Sequence, residues 1–147
     1  MGRMRAWNIL GPLLASGVVF GCQALIETAE TSRLMDQIED DSITNALSAA
    51  TTEDQARELI AASPRVQALL AKGPRIAEKL MERFTDEDIQ NRDEALAHYA
   101  YIFERLGFVP ALPVLNYFLA RAYDQGDLKW AIIFSERARR SLEALSA

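Results

Sequence analysis

Asp93–Gly107 reads DEALAHYAYIFERLG. Ala95, Leu96, Tyr99, Ile102, Phe103 and Leu106 recur every three or four residues, which places them on one stripe of a helix. Gly107 supplies a stop. Tyr101 falls off the stripe, and His98 flanks it. A neutral, hydrogen-bonded side chain at the edge of the core is the reading of a lone histidine in that position.

Downstream the same rhythm continues. PALPVLNYFLARAYDQ carries Leu112, Leu115, Phe118, Leu119 and Ala122. Pro110 and Pro113 lie at or before its first turn, where a missing N–H costs little. Asp124–Gly126 is a turn, and Asp127 is placed to cap a last helix. That helix turns Leu128, Ala131, Ile132, Ser135, Ala138, Leu142 and Leu145 inward. Arg137, Arg139 and Arg140 gather toward its C-terminal half, as the dipole favours.

Upstream, residues 42–90 divide into shorter helices. SITNALSAA puts Ile43, Ala46, Leu47 and Ala50 on one face, with Asp41 or Ser42 as cap. Thr52 stands three residues before Gln55, the spacing of a capping box. Ala56, Leu59 and Ile60 follow as its stripe. Ser63 and Pro64 open a third helix that buries Val66, Leu69 and Leu70 and ends at Gly73. Pro74 opens a fourth, with Ile76, Ala77, Leu80, Met81 and Phe84 inward. Thr85–Asp88, TDED, has the cap-plus-acid pattern of a further helix start. No alternating strand pattern of any length occurs.

These elements predict an all-α chain. Short helices of similar length suggest antiparallel pairs stacked into a short α-solenoid, with a compact helical bundle as the alternative. LGFVPALPVL, Leu106–Leu115, resembles the inter-helix turn of HEAT repeats through Leu106, Gly107, Ala111, Leu112, Pro113 and Leu115. LARAYDQGDLKWAI, Leu119–Ile132, resembles a tetratricopeptide repeat through Leu119, Ala122, Tyr123, Gly126, Asp127, Ala131 and Ile132. The two resemblances differ in family and agree in architecture.

The N-terminus is of another kind. MGRMR carries Arg3 and Arg5, and AWNILGPLLASGVVF that follows carries no charge. A positive start, a short apolar stretch and a small residue at the cut form a signal-peptide layout. Taken alone, the layout also admits a signal-anchor helix or a non-lipidated secretory signal. VFGC, Val19–Cys22, resembles the lipobox of bacterial lipoproteins through Val19, Gly21 and Cys22, with Phe20 in the variable place. The resemblance implies cleavage between Gly21 and Cys22 and acylation of Cys22. With Gln23 rather than Asp next, it implies the periplasmic face of the outer membrane in a diderm envelope. The expected organisation is a signal peptide over 1–21, a lipidated cysteine and acidic tether over 22–41, and a helical-repeat domain over 42–147.

Composition limits the chemistry. The 147-residue chain has 50% apolar and 25% charged residues, enough apolar surface for one folded domain. Removing Arg3 and Arg5 from its 16 basic residues leaves 14 against 21 acidic ones. An acidic body is a poor match for nucleic-acid phosphates. One cysteine makes no internal disulfide, and one histidine makes no histidine metal cluster. No glycine-rich phosphate loop is present, so neither metal nor cofactor is expected.

The expected role is a lipid-anchored scaffold that binds a protein or peptide and is not an enzyme. Its contact residues would be Tyr101, Tyr117, Trp130 and Phe134 with Arg121 and Arg137, because exposed aromatics beside arginine make binding hot spots. Wide helix burial of the same rings is the competing reading. Two other roles stay open. One is a cell-wall-acting enzyme using Glu78, Glu82 or Glu104; the other is a purely structural lipoprotein.

Overall fold

The computed structural model describes residues 11–40 and 47–147; for residues 11–24 the backbone alone is described. Seven α-helices occur among the described residues: α1 (Gly11–Glu39), α2 (Glu53–Ala61), α3 (Pro64–Lys72), α4 (Ala77–Phe84), α5 (Asp93–Leu106), α6 (Leu112–Ala122) and α7 (Lys129–Ser146). The described residues contain no strand, so the chain is all-α as its periodicity predicts. None of their helices is long and apolar enough to cross a membrane. Ile43 and Ala46, with the caps expected at Asp41 or Ser42, lie outside the described residues, as do Arg3 and Arg5.

The chain divides into two compact units, Met1–Arg33 and Leu34–Ala147. In the first, α1 presents Leu25 and Ile26 to solvent. The second begins earlier than the boundary expected at residue 42. Leu34, Met35 and Ile38 belong to its core, with Met35 and Ile38 fully buried. Leu34, Met35 and Ile38 recur at helical spacing, which admits an amphipathic helix as well as a stalk; the acidic residues around them put the segment in the tether, and the structure puts it in the core.

Helix α5 is the centre of this body. Every residue from Ala95 to Phe103 is buried, including Tyr101 and His98, which lie off the expected stripe. A helix covered all round needs neighbours on every side. α7, α3 and α4 pack against it, and α7 also packs against α6. Ala95, Ala97 and Ala100 keep its surface small enough for close approach.

Local chemistry sets the helix ends. Thr52 Oγ1 accepts the Gln55 N–H at 3.1 Å. The return bond of the capping box falls one residue early, with Gln55 Oε1 accepting the Thr51 N–H at 2.8 Å. Ser63 Oγ accepts the Val66 N–H, and Pro64 occupies the first turn of α3. α5 ends in a Schellman turn. Gly107 is left-handed at φ 64°, its N–H donates to Glu104 O at 3.0 Å, and the Phe108 N–H donates to Phe103 O at 3.3 Å. The rings of Phe103 and Phe108 stack at 6.3 Å, supplying the apolar contact of that motif.

Two caps differ from expectation. Thr85 ends α4, donating its hydroxyl to Met81 O at 2.8 Å, and Asp86 caps one 3-10 turn, Glu87–Ile89, in place of a longer helix. Asp127 lies in the turn Gly126–Leu128 and does not cap α7. Asp93 does so from the start of α5, its Oδ1 accepting the Ala131 N–H at 2.6 Å. Burial pushes the Asp93 carboxyl above its usual range, against the pull of these amide bonds.

A polar tie fixes Leu34–Glu39. The Tyr99 hydroxyl donates to Glu39 Oε2 at 2.5 Å and approaches Met35 O at 3.1 Å. Arg83 bonds Glu39 Oε2 and Asp36 Oδ1, each at 2.9 Å. Burial opposes the Arg83 charge, and the two carboxylates outweigh it, so its pKa lies above the ordinary arginine value. Burial and the Glu39 carboxylate together raise the Tyr99 pKa, which keeps the phenol neutral and donating.

Deleting residues 1–41 should therefore unfold more than a tether. Losing Leu34, Met35 and Ile38 removes about 5 kcal/mol of burial, comparable with the whole net stability of a small domain. In thermal melts followed by circular dichroism, a 34–147 fragment should unfold cooperatively and a 42–147 fragment should not. Equal melting of the two would show that Leu34–Glu39 is dispensable. Ser135 Oγ is buried without a hydrogen-bond partner among the described residues, so Ser135→Ala should raise stability by about 1 kcal/mol in urea unfolding.

Candidate functional site

Helix α6 places Val114, Tyr117 and Arg121 along one side, at i, i+3 and i+7, while Leu115 and Phe118 turn inward. Tyr117 is 70% exposed. The Arg121 guanidinium lies 5.4 Å from its ring centroid, a cation–π distance. Arg121 also donates to Gln90 Oε1. Gln90 is braced in turn, its Nε2 donating to Phe84 O at 2.8 Å and Asp86 O at 3.0 Å. The short turn after α4 thus holds the guanidinium in place.

Beside this pair is a depression of about 230 Å³ lined by Phe84, Thr85, Glu87, Gln90, Val114, Tyr117, Phe118 and Arg121. Its floor is continuous with the core. Phe84 stands edge-on to Phe118 at 5.4 Å and to Phe103 at 5.7 Å. Both floor rings are anchored, so the depression is preformed. A second depression of about 350 Å³ adjoins it, with Glu87, Gln90 and Arg121 lining both.

Of the six residues expected to contact a partner, Tyr117 and Arg121 alone come together at this surface. Tyr101, Trp130 and Phe134 are buried and belong to the core, a correction to their expected exposure. The Arg57 guanidinium covers the Tyr101 ring at 4.9 Å, and Trp130 lies 6.4 Å from Phe134. Arg137 pairs with Glu53 at 2.7 Å, tying α7 to α2. Gln90, Phe84 and Val114 escaped the sequence reading. Phe84 and Val114 look like ordinary helix positions, and Gln90 sits in a charged run whose tertiary neighbours periodicity does not report.

The carboxylates considered for catalysis are engaged or exposed. Glu104 receives two bonds from Arg57, at 2.8 and 2.9 Å. Glu82 faces Lys79 at 3.5 Å on an exposed surface, and Glu78 is exposed. No group of three or more His, Cys, Asp and Glu among the described residues could hold a metal ion. The backbone of Gly21 and Cys22 is helical within α1, and their side chains lie outside the description. No protein-family model, curated protein or solved structure matches this chain.

His98 is buried, with Nδ1 2.6 Å from Glu94 O. A ring nitrogen at that distance from a carbonyl is the protonated one, which leaves Nε2 bare in the neutral ring. Burial pushes the His98 pKa below its ordinary value of 6.5. The unfolded chain then binds the proton first. His98 contributes its full stability above pH 6.5, and loses it as pH falls from there through the lowered folded value. Asp93 acts in the opposite sense, since its raised pKa makes folding easier as acid neutralises it. His98→Asn keeps a donor near Glu94 O and removes the titration. Urea unfolding across pH 7.5 to 5, an interval set about the ordinary histidine pKa, should show a steeper loss for the native chain than for the variant. Parallel curves would mean that His98 is no source of acid sensitivity.

Proposed function

We propose that this chain is a lipid-anchored protein of a bacterial envelope whose helical body binds a peptide or protein segment at the Tyr117–Arg121 depression. One observation carries the binding half: an aromatic ring 70% exposed and stacked with a braced guanidinium, beside a preformed depression floored by Phe84 and Phe118. Tyrosine and arginine are enriched among residues that dominate interface energetics, and a rigid site loses less entropy when it is occupied.

The anchoring half is supported by the basic start, the uncharged stretch and Val19–Cys22. The Cys22 thiol, losing its proton, displaces the phosphorylated headgroup from the glyceryl carbon of a membrane phospholipid and forms a thioether to diacylglycerol. Hydrolysis of the Gly21–Cys22 peptide bond then frees a new amino terminus for a further acyl chain. Each buried methylene contributes about 0.8 kcal/mol, so two or three chains hold a protein at a bilayer. The part of α1 left by this cut begins at Cys22, and its residues 22–33 span roughly 18 Å as helix. The acidic balance fits a protein or peptide partner better than nucleic acid, and Gln23 after the cysteine favours the periplasmic face of the outer membrane.

Two measurements test the halves separately. Intact-mass analysis of the full-length gene product from a diderm bacterial host should find residues 1–21 removed and Cys22 carrying acyl chains, with Cys22→Ser blocking both. A retained leader or a free thiol would refute the anchor. For the binding half, Tyr117→Ala should weaken capture of a bound envelope polypeptide by about tenfold, the cost of losing a hot-spot ring. Unchanged capture would remove this face from the interface.

A further inference from the structure

The depression beside Tyr117 carries chemistry more specific than apolar contact. Arg121 is fixed by neutral partners: the Gln90 amide oxygen and the Tyr117 ring. No carboxylate pairs with it among the described residues, whereas Arg57, Arg83, Arg137 and Arg139 each have one. A guanidinium held in place, with most of its planar fork unused, is preorganised to receive a carboxylate. The adjacent floor of Phe84, Phe118 and Val114 takes an apolar side chain. Glu87 lies on the same rim and Arg121 is the one cation among the described residues lining the depression, so a carboxylate has one place to bind.

The size narrows the occupant. At about 230 Å³ the depression is smaller than the roughly 300–1,000 Å³ of drug-sized sites, and suits a single residue. An internal acidic residue beside an apolar one does not satisfy it, because neighbouring side chains of an extended segment point to opposite faces. A C-terminal residue does, since its α-carboxylate and its side chain leave the same Cα. We infer that the depression captures the C-terminal residue of a peptide, its free α-carboxylate on Arg121 and an aliphatic or aromatic side chain over Phe84 and Phe118. This rests on the peptide-binding reading above and names its ligand class.

Single-residue probes test it on the full-length chain in detergent micelles. N-acetyl-L-leucine carries both groups, N-acetyl-L-leucinamide lacks the charge and N-acetylglycine lacks the side chain. Nuclear magnetic resonance would follow the Arg121 Nε–H and the Tyr117 ring. N-acetyl-L-leucine should shift both saturably, with a Kd on the order of a few millimolar, and each control should bind at least about tenfold more weakly. Arg121→Gln should reduce the acid to the level of the amide, and Arg140→Gln, at an exposed position on α7, should change nothing. Equal binding of acid and amide would overturn carboxylate capture and leave an apolar peptide face standing. No saturable shift with any probe would overturn the inference outright. The wider binding reading would then be decided by the capture experiment with Tyr117→Ala.

Discussion

A helix without a solvent face has to be enclosed, and α5 is such a helix from Ala95 to Phe103. Its position dictates the rest of the body. The enclosing elements come from both sides of it in the chain: Leu34–Glu39, α3 and α4 before it, α7 after it. Burial of this kind is non-directional and gives compactness but little orientation. Orientation comes from the polar atoms that α5 carries inward, each of which needs a partner at a fixed distance.

Three such atoms act as pins. The Tyr99 hydroxyl meets Glu39, Asp93 meets the first turn of α7, and His98 turns its Nδ1 back onto its own helix at Glu94 O. The first two join α5 to segments distant in sequence. Their net contribution as hydrogen bonds is modest, about 1 kcal/mol each. Their weight lies in what an alternative packing would cost, since a buried phenol or carboxylate without its partner forfeits its full desolvation energy. Glu39 is also held by Arg83, so the carboxylate that accepts from Tyr99 is itself fixed. Ser135 is the exception: its hydroxyl lies in the core with nothing to bond among the described residues, and only its small volume suits the place.

Much of this was legible from the chain. The caps at Thr52 and Ser63, the stop at Gly107, the prolines at and before the first turn of α6 and the inward faces of α3, α4 and α6 follow from local rules, and local rules operate within one turn of helix. What was not legible depends on elements meeting in space. Asp127 has the position of a cap for α7, yet Asp93, distant in sequence, reaches the amides first. Tyr101, Trp130 and Phe134 lie off the main stripes, and stripe width reports whether a helix has one covered face or several only once the neighbours are known. Leu34, Met35 and Ile38 have helical spacing, but the charges around them concealed that they join the core; those same charges, Asp36 and Glu39, pair with Arg83. At the surface site, Tyr117 and Arg121 were visible as an aromatic and a base at i and i+4. The Gln90 brace that makes them a site was not.

Helix α4 joins the two ends of this arrangement through consecutive residues. Arg83 reaches the carboxylates of Asp36 and Glu39, and Phe84 stands edge-on to both Phe103 of the central helix and Phe118 beneath the depression. Such contiguity fixes position, and does not amount to a switch, which would need a second packing of comparable free energy. The interior offers little room for one, because close-packed aromatic contacts tolerate small displacements poorly. The depression is therefore held in a set orientation relative to Leu34–Glu39. The Glu39–Arg83–Phe84 chain sets which way the Tyr117 face points within the body.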